Sequence, residues 1–192
     1  MLPPARAWQQ GWWAGAERRF SPNFSARPPG AKVELVIVHS ISLPPGVYGG
    51  DAIERLFAHQ LDPAALPYFE KLRGMQVSAH LLVRRDAQVL QFVSCDDRSW
   101  HAGASCWAGR DNCNDWSIGV ELEGLEGDGF EAVQYRALAR LLKALRQHYP
   151  IAQVVGHQHV AAGRKFDPGA GFDWVGLRHR LGWPLPMFPP AG

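Results

Sequence analysis

The sequence predicts a mixed α/β fold, in which one central β-sheet is flanked by helices within a single domain. A nearly continuous apolar run at residues 33–38 is typical of a strand that is buried on both faces. Between Asp128 and Tyr149, apolar residues recur every three or four positions, which is the period of an amphipathic helix. The 192 residues fit one domain. A chain of this length buries roughly 70% of its unfolded surface, so it needs no disulfide bonds for stability.

Two segments are expected to lie outside the regular core. Residues 1–30 are rich in Pro, Gly, Ser and Trp and show neither the helical nor the strand period. We therefore expect an irregular N-terminal arm that packs on the domain through Trp8, Trp12 and Trp13. Residues 183–192 form a Pro-rich tail, because proline lacks the N–H group that a continuing helix requires.

The first half of the domain is expected to contain three strands and a short helix. The first strand covers 33–39 and is followed by a turn-rich loop. Asp51 is the expected N-cap of a helix that ends near Gln60, since apolar residues there are three and four positions apart. Two strands at 76–84 and 88–93, joined by a polar turn, predict an antiparallel hairpin.

A fourth strand, at 117–124, alternates between two faces. One face carries Ile118, Val120 and Leu122, and the other carries Ser117, Gly119, Glu121 and Glu123. In a sheet that is covered on both sides Glu121 is half buried, which is unfavourable for a carboxylate unless it is paired or has a chemical role. We expect Glu123, nearer the end of the strand, to lie in solvent.

The second half of the domain continues with the long helix at 128–149, which ends at Pro150. A strand at 152–156 follows, and a last short helix is expected at 173–181. The sequence contains no internal repeat.

Composition excludes several classes of function. The net charge of +2 is small and the basic residues are spread along the chain, so we expect no nucleic-acid partner. No segment approaches the roughly 20 apolar residues that cross a bilayer, and the first ten residues lack the apolar core of a signal peptide. We therefore expect a cytoplasmic protein without membrane contact, and a monomer. Three cysteines without a C-x-x-C pair argue against a disulfide framework and a cysteine zinc site.

The segment 154–169 (VVGHQHVAAGRKFDPG) concentrates the most chemically capable side chains. His157 follows the end of a predicted strand, and Asp167 lies in the loop beyond it. Imidazole and carboxylate are common ligands of Zn²⁺, and catalytic zinc sites use three protein ligands. His39, at the end of the first strand, is the best third ligand. A local alternative is His159, because residues two apart in an extended chain face the same side. A structural role for a histidine at a strand end is the simpler explanation of His39 alone.

Several motifs together resemble the zinc-dependent N-acetylmuramoyl-L-alanine amidases, in particular their cytoplasmic 1,6-anhydro type. They run through most of the chain in order: VHSISLPPG at 38–46, VSAH at 77–80, WHAG at 100–103, CNDWSIGVELEG at 113–124, GH at 156–157 and RKFDPG at 164–169. The resemblance implies a central sheet flanked by helices, as in phage lysozyme-type amidases and peptidoglycan recognition proteins.

The resemblance also implies roles for individual residues. His39, His157 and Asp167 correspond to the ligands of one zinc ion per chain, which decides against His159. Glu121 corresponds to the catalytic glutamate and Lys165 to the catalytic lysine. The implied substrate is an anhydro-muramyl-peptide (a muropeptide), cut at the amide bond between the lactyl group of muramic acid and L-alanine during peptidoglycan recycling. The expected substrate-binding residues are Ser40, Trp100, His101, Arg110 and Arg164.

Three other functions are compatible with the same residues. The first is a phage-like or broad-specificity amidase that lyses the intact wall. The second is a non-catalytic module that binds peptidoglycan. The third is a different zinc hydrolase, such as a peptidase, which differs only in its product.

Overall fold

The computed structural model describes residues 7–190, and its centre is a six-stranded mixed β-sheet with the strand order β12-β5-β11-β6-β7-β3. The predicted mixed α/β fold is confirmed. The strands are β1 (Trp8–Gln9), β2 (Trp12–Trp13), β3 (Glu17–Arg18), β4 (Phe24–Ser25), β5 (Leu35–Ile41), β6 (Leu81–Val83), β7 (Val89–Gln91), β8 (Arg98–Ser99), β9 (Cys106–Trp107), β10 (Arg110–Asp111), β11 (Ser117–Glu123) and β12 (Gln153–Gly156). The α-helices are α1 (Ala52–Phe57), α2 (Ala132–His148), α3 (His157–Val160) and α4 (Trp174–Leu181), and short 3₁₀ turns occur at Phe69–Leu72, Cys113–Asp115 and Leu185–Met187.

Four neighbouring strands of the sheet are parallel. Strands β12, β5, β11 and β6 run in the same direction, so their carboxyl ends meet at one edge. Strands β6 and β7 are antiparallel, which confirms the predicted hairpin. Its strands are shorter than expected, with three residues each.

Helix α2 covers one face of the sheet. Its buried leucines, Leu138, Leu141, Leu142 and Leu145, pack against Ile118, Val120 and Leu122 of β11 in one apolar cluster. Burying one leucine side chain contributes about 1.5–3 kcal/mol, so this row of contacts is a main source of stability. The helix begins four residues later than predicted, because Glu131 and Gln134 form a reciprocal capping box before Ala132.

The other face of the sheet is covered by two smaller clusters. Helix α1 buries Ile53, Leu56 and Phe57 against β6 and β7. A third cluster lies under α3 and includes Leu35, Ile37 and Val155. Asp51 precedes α1 as predicted, but its side chain makes no cap hydrogen bond and pairs with Arg55 instead.

The N-terminal arm is more regular than predicted. Strands β1 and β2 pair as a hairpin that buries Trp8 and Trp13, whereas Trp12 is partly exposed. Strand β3 joins the edge of the central sheet beside β7, and β4 pairs with β8. Residues 1–6 of the predicted arm and residues 191–192 of the predicted tail lie outside the described part of the chain.

Two further observations concern membranes and cysteines. Among residues 7–190, no helix is both long and apolar enough to cross a membrane. Cys95, Cys106 and Cys113 are free thiols, and Cys95 and Cys113 are buried.

Candidate metal and catalytic site

The register of three parallel strands places three chemically capable side chains in one row. His39 of β5 pairs with Glu121 of β11, and Val38 pairs with Gly156 at the end of β12. His157 follows Gly156 directly, so it lies next to His39. His39 is inside its strand rather than at the end, because pairing with β11 continues to Ile41. The row therefore joins both histidines and the glutamate at the carboxyl edge of the sheet.

Asp167 completes a cluster with the two histidines. The Nδ1 atoms of His39 and His157 are 3.0 Å apart, and each lies 3.2 Å from Oδ2 of Asp167. A loop that leaves α3 brings Asp167 back to the strand edge, where Gln158 N–H donates to the backbone carbonyl of Asp167 at 2.9 Å. All three side chains are buried or nearly so.

This triangle fits a bound cation better than a set of hydrogen bonds. The two imidazole nitrogens and the carboxylate oxygen lie at the corners of a triangle whose three sides are 3.0–3.2 Å long. A single shared proton can form a hydrogen bond along only one side, so it does not explain why all three sides are short. Zinc ligands at about 2.0–2.1 Å in tetrahedral geometry lie roughly 3.3 Å from one another. The observed separations are close to that value, and the donor set of two nitrogens and one oxygen suits zinc.

The protonation states of the cluster also suit a cation. Burial lowers the pKa of His39 to about 4, against the opposing hydrogen bond to Asp167, so the ring is neutral at pH 7. Burial opposes ionisation of Asp167, but the close contacts with the His157 and His39 rings hold the pKa of the carboxyl well below its usual range. A neutral imidazole and an ionised carboxylate are the forms that bind metals.

Glu121 lies beside this cluster with an unused oxygen. Its side chain is 9% exposed, and Oε2 is buried without a hydrogen-bond partner among the described residues. Burial raises the pKa of Glu121 well above its usual range, the negative charge of Asp167 adds to the rise, and the positive charge of Lys165 opposes it. Since an unpartnered buried carboxyl is costly, its position points to a chemical role.

The cluster opens into a groove with a volume of about 480 Å³. Both apolar and polar or charged side chains line the groove, and the groove residues include His39, Ser40, Leu43, Leu72, Met75, Val77, Trp100, His101, Glu121, Glu126, Arg164, Lys165, Phe166 and Asp167. A groove that combines apolar side chains with a few polar and titratable groups is the usual form of a small-molecule site.

A comparison with known families shows the family of this chain. The family model described as N-acetylmuramoyl-L-alanine amidase matches residues 29–170, which is more than half of the chain. The chain belongs to the N-acetylmuramoyl-L-alanine amidase family. Members are metal-dependent hydrolases of the amide bond between the N-acetylmuramoyl group and L-alanine, so the predicted family and enzyme class are confirmed.

Individual relatives agree with this assignment. The amidase is 46% identical over 172 residues to 1,6-anhydro-N-acetylmuramyl-L-alanine amidase AmpD of Escherichia coli (strain K12), with 88% of this chain and 94% of the relative covered. A crystal structure of AmpD superposes with a TM-score of 0.88 at 46% identity and covers 90% of this chain and 98% of that one. A structure of AmiD from E. coli, in complex with the substrate anhydro-N-acetylmuramic acid-L-Ala-D-gamma-Glu-L-Lys, has a TM-score of 0.58 at 28% identity, with coverages of 80% and 60%.

The other predicted site residues of the amidase occupy different environments. Ser40 and Trp100 line the groove, and Ser40 Oγ is buried without a partner among the described residues. Arg164 reaches the groove wall, but its guanidinium donates to the carbonyls of Ala102 and Ala104 at 2.8 and 2.6 Å. Arg110 is not among the groove residues.

The partners of Arg110 explain its distance from the groove. Its guanidinium pairs with Glu34 at 2.9 Å and lies 4.3 Å from the centre of the Trp116 ring. These contacts hold Arg110 on the outer surface of the amidase, so the structure does not bring this predicted substrate residue to the others.

The local alternative ligand, His159, is directed away from the cluster. The segment after Gly156 is helical rather than extended, so residues two apart do not share a face. His159 Nδ1 accepts a hydrogen bond from Gly156 N–H at 2.8 Å, and its ring lies against Trp107 and Trp174.

The expectation that Glu123 is exposed is wrong. Glu123 is 2% exposed and accepts hydrogen bonds from the N–H groups of Gly49 (2.6 Å) and Arg85 (3.1 Å). Arg84 lies 3.6 Å from the same carboxylate. Loops from two other parts of the chain fold over the end of β11, and sequence position along the strand does not reveal them.

Proposed function

We propose that this amidase is a zinc enzyme of peptidoglycan recycling, which hydrolyses the amide bond between the lactyl group of a 1,6-anhydro-N-acetylmuramoyl peptide and its L-alanine. The observation that carries this proposal is the cluster of His39, His157 and Asp167 beside the unpartnered carboxyl of Glu121. The substrate is supported by the similarity to AmpD, whose name specifies a 1,6-anhydro sugar, and by AmiD, which was captured with an anhydro-muramyl peptide.

His39, His157 and Asp167 would hold one zinc ion per chain through Nδ1, Nδ1 and a carboxylate oxygen. Zinc bound there supplies a Lewis acid that lowers the pKa of water and polarises a carbonyl group. With three protein ligands, the site matches the ligand number of catalytic zinc rather than structural zinc.

Glu121 acts as the general base and acid. Its unpartnered oxygen takes the proton of the attacking water and returns it to the amine of L-alanine as the amide bond breaks. Its raised pKa favours the protonated form that donates to the leaving amine. Lys165, whose charge acts on both Glu121 and His39, stabilises the negative charge that develops on the carbonyl oxygen.

Ser40 and Trp100 are the residues best placed to contact substrate. The Ser40 hydroxyl offers an unused donor and acceptor at the groove, and Trp100 provides a partly exposed aromatic face for a sugar ring or peptide. Arg164 and Arg110 already have partners within the chain, so we assign them no primary contact with substrate.

Three properties of this amidase remain predictions: a cytoplasmic location, a monomeric state, and the lack of a nucleic-acid or membrane partner. The proposed substrate is consistent with the first, because recycling acts on fragments that have left the wall. Cell fractionation and light scattering of the purified protein test the first two.

The zinc site is tested by metal content. We expect Asp167→Ala and His157→Ala to lose stoichiometric zinc and activity. Their loss of zinc affinity is expected to exceed the roughly 10–100-fold loss that follows removal of a residue that only hydrogen-bonds to a metal ligand. His159→Ala is the matched control, since this neighbouring histidine is directed away from the cluster. Loss of zinc in His159→Ala alone would show that the ligand set is wrong.

Substrate choice is tested by competition between two muropeptides that differ only at the sugar end. We expect the anhydro form to be hydrolysed in preference to the form with a reducing end. Equal rates would favour a broad-specificity wall-lytic amidase, and hydrolysis of polymeric wall alone would favour a phage-like enzyme. Binding without hydrolysis by the zinc-loaded protein would identify a receptor, and cleavage elsewhere in the peptide would identify a peptidase.

A further inference from the structure

The far nitrogens of both histidine ligands meet one dipeptide, His101-Ala102. His39 Nε2 lies 3.0 Å from Nδ1 of His101, and His157 Nε2 lies 3.2 Å from the carbonyl oxygen of Ala102. Both Nδ1 atoms point into the candidate metal site. The WHAG motif at 100–103 therefore does more than line the groove, because it contacts the side of each histidine ring that faces away from the candidate metal site.

The contact with the carbonyl group fixes the tautomer of His157, and metal binding through Nδ1 would fix the tautomer of His39. A carbonyl oxygen only accepts, so His157 is protonated on Nε2 and its Nδ1 is free to bind a metal. His101 Nε2 lies 3.3 Å from the hydroxyl of Ser117, a group that can accept or donate a hydrogen bond. Metal binding through Nδ1 requires that His39 carry its proton on Nε2, in which case His101 Nδ1 accepts that proton's hydrogen bond and His101 Nε2–H donates to Ser117.

The dipeptide is itself held in place by buried contacts. The side-chain oxygen of Asn114 accepts the N–H groups of His101 (3.2 Å) and Ala102 (2.8 Å). Arg164 donates to the Ala102 carbonyl at 2.8 Å. The His101 ring packs directly on β11, where a Cβ atom at Gly119 would lie only 2.5 Å from its Cγ atom. Only glycine at this position leaves room for the ring.

We propose that His101 is a positioning residue for the metal site rather than a substrate-binding residue. Its Nδ1 atom accepts the Nε2–H of His39, and this contact fixes the tautomer and orientation in which His39 presents Nδ1 to the metal. The adjacent Ala102 carbonyl does the same for His157, so one buried dipeptide prepares both histidine ligands. This inference rests on the proposed zinc site. Outer partners of this kind contribute about 10–100-fold in metal affinity.

A matched pair of variants distinguishes the effect of the acceptor atom of His101 from the effect of the size of its ring. His101→Asn places an amide oxygen near the position of Nδ1, whereas His101→Leu keeps similar bulk without an acceptor. Competition with a zinc-chelating dye at fixed pH measures the dissociation constant of zinc alone. We expect His101→Leu to bind zinc roughly 10–100-fold more weakly and His101→Asn to stay within about threefold of wild type. His59→Asn, an exposed histidine with a φ of 58°, is the control and is expected to match wild type.

The tautomer of His39 provides a readout that needs neither metal nor activity. Long-range ¹H–¹⁵N correlation spectra of the metal-free protein are expected to show His39 protonated on Nε2 in wild type and a mixture of tautomers in His101→Leu. Wild-type affinity in His101→Leu, or equal weakening in both variants, would overturn the inference. If His101→Leu does not fold, the wild-type spectrum decides, since protonation of His39 on Nδ1 contradicts it. Failure of wild type itself to bind zinc would instead overturn the proposed zinc site and this inference with it.

Discussion

Two glutamates on strand β11, Glu121 and Glu123, are separated by one residue and share a face of the sheet, yet their surroundings differ completely. Glu123 is enclosed by two backbone N–H groups and by Arg84, so both of its oxygens have partners. Glu121 is also buried, but its Oε2 atom has no partner among the described residues, and it faces the groove beside Asp167.

The difference in hydrogen bonding distinguishes a carboxylate that stabilises the fold from one that is available for proton transfer. A buried carboxylate whose hydrogen bonds are complete stabilises the fold, because the partners compensate the loss of water. A buried carboxyl with a free oxygen is unfavourable for folding and is available to take or give a proton. Burial alone therefore does not mark a candidate catalytic residue, whereas a buried carboxyl without a partner at a groove does.

The sharpest test of the contrast is Glu121→Gln, which keeps the shape of the side chain and removes its proton chemistry. We expect turnover to fall by about 10²–10⁴-fold, the usual contribution of general acid–base catalysis, with zinc content unchanged. Steady-state assays with a muropeptide and metal analysis of the same sample measure both quantities.

The same variant is expected to be at least as stable as wild type in urea unfolding, because an unpartnered carboxyl has been removed. Near-normal turnover in Glu121→Gln would end the argument that the free oxygen has a catalytic role.

The same substitution at the second glutamate, Glu123→Gln, tests a carboxylate whose expected role is to stabilise the fold. An amide N–H₂ group in place of one oxygen opposes the N–H donors of Gly49 or Arg85 and removes the negative charge that lies 3.6 Å from Arg84, which keeps its ion pair with Glu54. We expect a loss of about 3 kcal/mol in the free energy of unfolding, and turnover within about twofold of wild type at temperatures where the variant is folded. A variant that is fully stable but inactive would reverse the roles of the two glutamates.

A smaller effect is expected at His80, a buried histidine whose partners are complete. Its Nδ1 atom accepts from Gly119 N–H at 3.0 Å and lies 2.7 Å from Ser99 Oγ, and its Nε2 atom lies 3.0 Å from the Asp97 carbonyl. Burial lowers the pKa of His80 to about 3, and the charge of Arg27 adds to this effect. Between pH 6.5 and 3, His80 is therefore protonated in the unfolded chain but neutral in the folded chain.

The stability that His80 contributes is complete above pH 6.5 and is lost as the pH falls toward 3. By pH 5 the loss is about 2 kcal/mol. Urea unfolding of wild type and His80→Asn at both pH values measures the difference, since asparagine offers an oxygen near the position of Nδ1 to accept from Gly119 N–H and does not titrate. Identical pH dependence in the two proteins would contradict the assignment of His80 as a buried neutral group.

Sequence patterns predicted the parts of the molecule that depend on local periodicity. The alternation in β11 predicted that Ile118 and Val120 face the core and that Glu121 lies on the opposite face, as observed. The apolar run before His39 predicted a strand buried on both faces. The order of the motifs predicted the family, which the comparisons confirm.

Local sequence patterns did not predict contacts between segments that are far apart in the chain. Glu123 is buried by Gly49 and Arg85, which lie 74 and 38 residues away in the chain, and no local signal in β11 indicates this. Arg164 donates to Ala102 O rather than facing substrate, because the loop after α3 closes on the segment after β8. A strand pattern gives the face of a residue, but hydrogen-bond partners depend on which loops fold over that face.

The most direct test of the central claim is a mass spectrum of 1,6-anhydro-N-acetylmuramoyl-tripeptide after incubation with the purified, zinc-loaded protein, before and after treatment with a chelator. We expect free tripeptide and 1,6-anhydro-N-acetylmuramic acid, their disappearance after chelation, and their return when zinc is added back. Unchanged substrate in the presence of folded, zinc-loaded protein would contradict the assignment of this chain as an amidase of anhydro-muropeptides.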